Sequence, residues 1–117
     1  MPSTTPFKRG DIVLVPFPFT DLTTTKQRPG LVISSDAFNA THDDAVLLAI
    51  TSQIPPAPEA EEFLIPAGDL ATCGLPKPSL VRLMKVFTLH QRLVIKRRGA
   101  LPAKTLDALC ASFRNQF

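Results

Sequence analysis

Short apolar runs, each cut off by proline, glycine or a polar cluster, set the pattern of the first hundred residues: IVLV at 12–15, LVI at 31–33, AVLLAI at 45–50. Runs of this length between turn residues suit strands better than helices. Strands are expected near Asp11–Pro16, Gly30–Ser34, Ala45–Thr51, Glu62–Ile65, Ser79–Leu83, Lys85–Leu89 and Leu93–Arg97. Two of them are apolar at successive positions, so both faces are covered, as in a closed or strongly curled barrel. Pro16 and Pro18 have no N–H for a ladder, so the first strand ends or lies at an edge there. The proline-rich, acidic segment Pro55–Glu61 reads as a loop, and Gly68–Pro78 as a second long connection. From Pro102 the period changes to about 3.6. Leu106, Leu109, Cys110, Phe113 and Phe117 fall on one side of a helix, with Lys104, Asp107, Ser112 and Gln116 elsewhere. Pro102 suits a first helical turn, whereas Leu101 offers no capping oxygen. The expected class is therefore mainly β, with one amphipathic C-terminal helix lying on the barrel.

Composition narrows this only a little. With 117 residues, 44% apolar and 20% charged, the chain is expected to form one domain over 1–117 with one core. No apolar run approaches the roughly 20 residues of a membrane span, and the N-terminal MPSTTPFKRG has no apolar stretch for a signal peptide. A soluble cytoplasmic protein is the expectation. Cys73, Cys110, His42 and His90 stand at no metal-binding spacing, so no metal or cofactor is expected and the thiols read as buried or idle.

Charge adds more. The formal net charge is +3, but residues 31–75 carry seven acids and no Lys or Arg, while residues 76–117 carry nine Lys or Arg and one acid. Such asymmetry suits a basic surface for a polyanion and an acidic surface elsewhere, or else two solvated faces.

Candidate chemistry sits at the ends of the strands. Arg28 enters the second strand and Thr51-Ser52 leave the third, and the connection centred near Asn39–Ala40 makes the two an antiparallel hairpin. The start of one strand then lies opposite the end of the next, so Arg28 should face Thr51 or Ser52. A guanidinium and hydroxyls on one rim suit a phosphodiester; an Arg-Pro entry and a Thr-Ser exit are also ordinary turn chemistry. Phe17 and Phe19 flank Pro18, either as platforms for bases or as core plugs. Lys26, Lys77, Arg82 and Lys85 are candidates for phosphate contacts. Lys96-Arg97-Arg98 either tracks a nucleic-acid backbone or docks an acidic protein tail.

The blocks GDIVLVPFPFTD, KQRPGLVIS, AVLLAITSQ and KPSLVRLMKVFTL, running from Lys8 to the C-terminal helix, resemble the MazF/PemK family of toxin–antitoxin ribonucleases. The resemblance implies a small SH3-like, CcdB/PemK-type β-barrel with a C-terminal helix. It also implies a homodimer that cuts single-stranded RNA at short motifs without a metal and is silenced by an antitoxin. By position it assigns the catalytic arginine to Arg28 and the catalytic threonine to Thr51, with Gln27, Ser52 and Gln53 beside them. The implied reaction is attack of a ribose 2′-hydroxyl on the adjacent phosphate. Arginine is a poor base at neutral pH, so Arg28 is expected to stabilise the phosphorane. The chain departs from the family pattern after the fifth strand, with Met84, Phe87 and His90 where many members have an acidic or polar residue, an arginine and an aspartate. Two rivals follow from those departures and from the shared fold: a non-catalytic module binding antitoxin or nucleic acid, and a gyrase poison.

Overall fold

In this computed structural model residues 6–16 and 26–117 are described. Six strands, β1 (Asp11–Pro16), β2 (Gln27–Val32), β3 (Asp44–Thr51), β4 (Glu62–Leu64), β5 (Leu80–His90) and β6 (Lys96–Ala100), form one antiparallel sheet in the order β4-β5-β3-β2-β1-β6. Helices α1 (Asp36–Thr41), α2 (Leu70–Cys73) and α3 (Ala103–Arg114) connect and cover it. The mainly-β class with a C-terminal helix is the architecture observed. Among the described residues no helix is long and apolar enough to cross a membrane.

Alternation along β1 explains the unbroken apolar runs. Ile12 joins Leu31, Leu48, Ile50, Val81 and Leu83 in one cluster, capped by Leu109 of α3 with Leu106, Cys110 and Phe113. Val13 and Val15 join Val32, Ala45 and Leu47 in a second cluster, covered by Phe7, Phe87, Leu89 and Val94. Both faces of the sheet are thus dry, as the runs require. The sheet also curls: α2, which follows β4 at one edge, packs on β6 at the other. The approach is backbone to backbone. A Cβ on Gly74 (φ 70) would lie 2.2 Å from the Arg98 carbonyl oxygen, and one on Gly99 would lie 2.3 Å from that of Thr72. Only glycine permits this contact.

The strand expectations fail in an instructive place. Two strands, split at Met84, were expected where β5 runs unbroken. The ladder to β3 pairs Leu48 with Val86 but Ala49 with Arg82, leaving Leu83, Met84 and Lys85 without opposite numbers. Odd-numbered residues before this irregularity, Val81 and Leu83, feed the first cluster, and those after it, Phe87 and Leu89, feed the second. The bend re-aims one strand from one core to the other. The last strand is Lys96–Ala100 rather than Leu93–Arg97, because Gln91–Leu93 form a 3₁₀ turn capped by the His90 side chain, which accepts from the Arg92 N–H. Pro102 occupies the N-cap of α3 without a capping bond, and Phe117 lies past the helix, 81% exposed with an edge-on contact to the Phe113 ring.

The hairpin connection holds α1, capped by Ser35 Oγ accepting from the Phe38 N–H. Asn39 within it is 1% exposed. Its amide donates to the carbonyls of Phe7 and Ser34, its Oδ1 accepts from Ser34 Oγ, and Gln91 donates to its own carbonyl. Asn39→Ala strands these groups in a dry site. A stability loss of about 2 kcal/mol is expected, read as a lower urea midpoint at unchanged slope.

Candidate active site

The β2–β3 ladder pairs Gly30 with Ala49, Leu31 with Leu48 and Val32 with Leu47. Continued two residues outward, this register sets Arg28 opposite Thr51. Both share the parity of Val32 and Leu47, so both side chains leave the same face at the same end of the sheet. Arg28 is exposed and Thr51 half-buried. They line one cavity of about 200 Å³ together with Pro29, Ile50, Ser52, Leu75, Pro76, Lys77 and Ser79. Arg28 is thus brought to Thr51 and to Ser52 alike.

Thr51 is held by its own turn: its Oγ1 accepts from the Gln53 N–H at 3.1 Å. With a lone pair committed to the backbone, the hydroxyl proton is the group it offers to a ligand. Opposite stands Lys77, in the Leu75–Ser79 turn between Pro76 and Pro78. Ser79, 3% exposed, donates from Oγ to the Lys77 carbonyl at 2.9 Å, and its own carbonyl accepts from the Ile65 N–H. Two prolines and a buried serine fix the backbone that carries Lys77 to the cavity. Among the described residues the Arg28 side chain has no ion-pair or hydrogen-bond partner. The rim is therefore cationic, open and supplied with hydroxyls, which is what a phosphodiester requires.

A second, more open cleft of about 380 Å³ adjoins the first through Thr51, which lines both; its other walls are Gln53, Ile54, Pro55, Glu62 and Arg82. Among the sequence-stated candidates, Ser52 and Lys77 thus join Arg28 and Thr51, while Gln53 and Arg82 stand in the neighbouring cleft. Lys26, Gln27 and Lys85 are exposed but line neither cavity. Phe17 and Phe19 lie outside the described residues. The Lys96-Arg97-Arg98 run is partly committed to scaffold: Arg97 Nε pairs with the buried Asp11 carboxylate at 3.0 Å, and Arg98 donates to the Gly74 carbonyl at 3.2 Å.

Two of the three departing residues have structural work. Phe87 packs in the second cluster, His90 caps a turn, and Met84 is exposed at the β5 bend. Neither His90 nor His42 lines either cavity. Burial pushes the Cys73 thiol up to about 11, with Asp69 adding to it, so it stays protonated. Among the described residues no three His, Cys, Asp or Glu side chains converge to hold a metal ion. Sequence reading missed Ser79, Ile54 and Glu62. The PKPS string was visible as a stiff turn, but nothing local told which strand end it faces.

A family profile described as PemK-like, MazF-like toxin of type II toxin-antitoxin system matches residues 8–117. The chain is 35% identical over 90 residues to "Endoribonuclease MazF6" of Mycobacterium tuberculosis and, to the same extent, to "Endoribonuclease MazF2" of Mycobacterium bovis, covering 76% of this chain and 76% of each relative. Among solved structures it is similar to a mycobacterial endoribonuclease in complex with its cognate antitoxin, with TM-score 0.72, 17% identity and coverage of 96% and 93% of the two chains. It is also similar to MazE-MazF from Deinococcus radiodurans, with TM-score 0.70, 24% identity and coverage of 97% and 92%. At these identities the structural likeness is one of fold.

Proposed function

This chain belongs to the PemK/MazF family of type II toxin–antitoxin toxins, and on that premise we propose that it is an endoribonuclease cutting single-stranded RNA at short sequence motifs. The observation that carries this reading is the shared rim of Arg28 and Thr51, set by the β2–β3 register. In the proposed step a ribose 2′-oxygen attacks the adjacent phosphorus and the P–O5′ bond breaks. The 2′-hydroxyl gives up one proton and the departing 5′-oxygen takes one, so a 2′,3′-cyclic phosphate and a 5′-hydroxyl form with no water consumed and no metal required. The Arg28 guanidinium spans two phosphate oxygens and meets the charge that builds on the phosphorane. Thr51 donates its hydroxyl proton to the same oxygens. Lys77 and Ser52 bind flanking phosphate, with Lys26, Gln27 and Lys85 as more distant contacts along the strand.

The same reading gives one toxin domain over residues 1–117, a homodimer in the cytoplasm, and a cognate antitoxin that silences it. A gyrase poison has no use for the Arg28–Thr51 rim, and a binding module would hold RNA there without cutting it. The test is single-turnover cleavage of an unstructured fluorogenic RNA in EDTA. Thr51→Ala is expected to slow cleavage by roughly 10- to 100-fold, the worth of one hydrogen bond to developing charge. Thr51→Ser, which keeps the donor, should recover most of the rate. Intact RNA with the wild type, or equal rates for wild type and Thr51→Ala, would sink the assignment, and loss of cutting in EDTA alone would remove the metal-independent route.

A further inference from the structure

Next to the Arg28 cavity, and joined to it at Thr51, stands a cleft whose walls suit a nucleobase better than a phosphate. Glu62 and Arg82 are directly opposed in the β4–β5 ladder, and both line this cleft. Opposite charges facing one another across two strands ordinarily pair. Here they do not: among the described residues the ion pair is Arg97 with Asp11, and the Arg82 side chain makes no hydrogen bond, although its charge helps hold the Glu61 carboxyl down. The Glu62 carboxylate is fixed from behind, since Oε1 accepts the Glu59 N–H at 2.9 Å. A carboxylate held by one hydrogen bond and a guanidinium free of hydrogen bonds thus line a cleft that the apolar Ile54 and Pro55 complete.

We propose that this cleft reads a guanine base adjacent to the scissile phosphate, with Glu62 and Arg82 as the specificity-determining pair. The inference rests on the ribonuclease reading and names the base that its cleavage motif contains. Guanine alone among the four bases presents two adjacent N–H donors, at N1 and N2, to a carboxylate, and two adjacent acceptors, O6 and N7, to a guanidinium fork. Adenine and cytosine offer the carboxylate one exocyclic amino group, and uracil offers only N3–H. Single-stranded RNA leaves these edges free for such readout. Ile54 and Pro55 give the ring a dry face, and Gln53, set by the Thr51 turn, adds an adaptable donor and acceptor. Phosphate is disfavoured by the neighbours: Glu59 and Glu61 flank Glu62, and a hydrogen bond between their carboxyls pushes Glu59 up and Glu61 down, leaving net negative charge beside the cleft.

The test uses the full chain on an RNA with a randomised centre, followed by sequencing of the cut ends. Guanine should be enriched at one fixed position within about two nucleotides of the cut. On a defined oligonucleotide, replacing that guanine by inosine, which lacks the N2 amino group, should slow wild-type cleavage about tenfold. Glu62→Gln should cut guanine and inosine alike, and Arg82→Ala should lose the wild-type discrimination against 7-deazaguanine. No guanine enrichment, or wild-type discrimination in both variants, overturns the proposal. So does an Arg82→Ala variant that weakens every sequence equally and flattens the salt dependence, for that is a phosphate contact. A wild type that cuts no RNA overturns the ribonuclease reading instead. The pocket is then judged by fluorescence anisotropy, which must show tighter binding of the guanine than of the inosine oligonucleotide.

Discussion

Arg28→Ala is expected to lower the single-turnover cleavage rate by at least about 100-fold while leaving the melting temperature unchanged. The two halves of that expectation have separate causes. Arg28 is exposed, packs in neither core cluster and holds no ion pair among the described residues, so its removal costs the fold little. The penalty falls on the phosphorane, which has more negative charge than the ground-state phosphodiester and loses the one guanidinium that the described residues place on its rim. Lysine in its place keeps the charge but not the planar fork, so Arg28→Lys should recover only a part of the rate. Wild-type cleavage by Arg28→Ala would remove Arg28 from the chemistry, and a fall in melting temperature matching the fall in rate would make its role structural.

How far the sequence reaches depends on how local each interaction is. Asp11–Pro16 was read with its observed ends, and the facing of Arg28 and Thr51 was legible, because one hairpin and its parity decide it. Other features hang on distant partners. β6 is KRRGA, exposed or half-buried throughout, and its residues have no apolar pattern; they are strand because β1 pairs with them. The expectation, Leu93–Arg97, starts instead on the more apolar Leu93–Ile95, where the capped turn ends. Likewise α1 and α2, at six and four residues, are too short for a helical period to show. The Glu62–Arg82 juxtaposition was illegible because the long connection 65–79 between β4 and β5 leaves their register open in the sequence.

A single 2′-deoxy substitution at the nucleotide whose phosphate is cut should abolish cleavage. The reason lies in what the cavity lacks as a protein-derived nucleophile. Among the described residues Ser52 and Thr51 carry its only candidate hydroxyls beside Ser79, whose Oγ is buried and donates to the Lys77 carbonyl. A serine or threonine attacks only when a base takes its proton, and among the described residues no histidine, aspartate or glutamate lines this cavity. Thr51 moreover accepts from the Gln53 N–H, which draws on the lone pairs that an attack would need. On the proposed mechanism the nucleophile comes from the substrate, and the 2′-hydroxyl is the one group next to phosphorus that RNA has and DNA lacks. An all-RNA strand should yield a 2′,3′-cyclic phosphate on one fragment and a 5′-hydroxyl on the other, identifiable by mass spectrometry. The deoxy strand should bind with similar affinity and persist uncut. A deoxy strand cut at the normal rate, or a product with a linear 3′-phosphate from the outset, would mean that water or a side chain attacks, and Arg28 and Thr51 would then serve a different displacement.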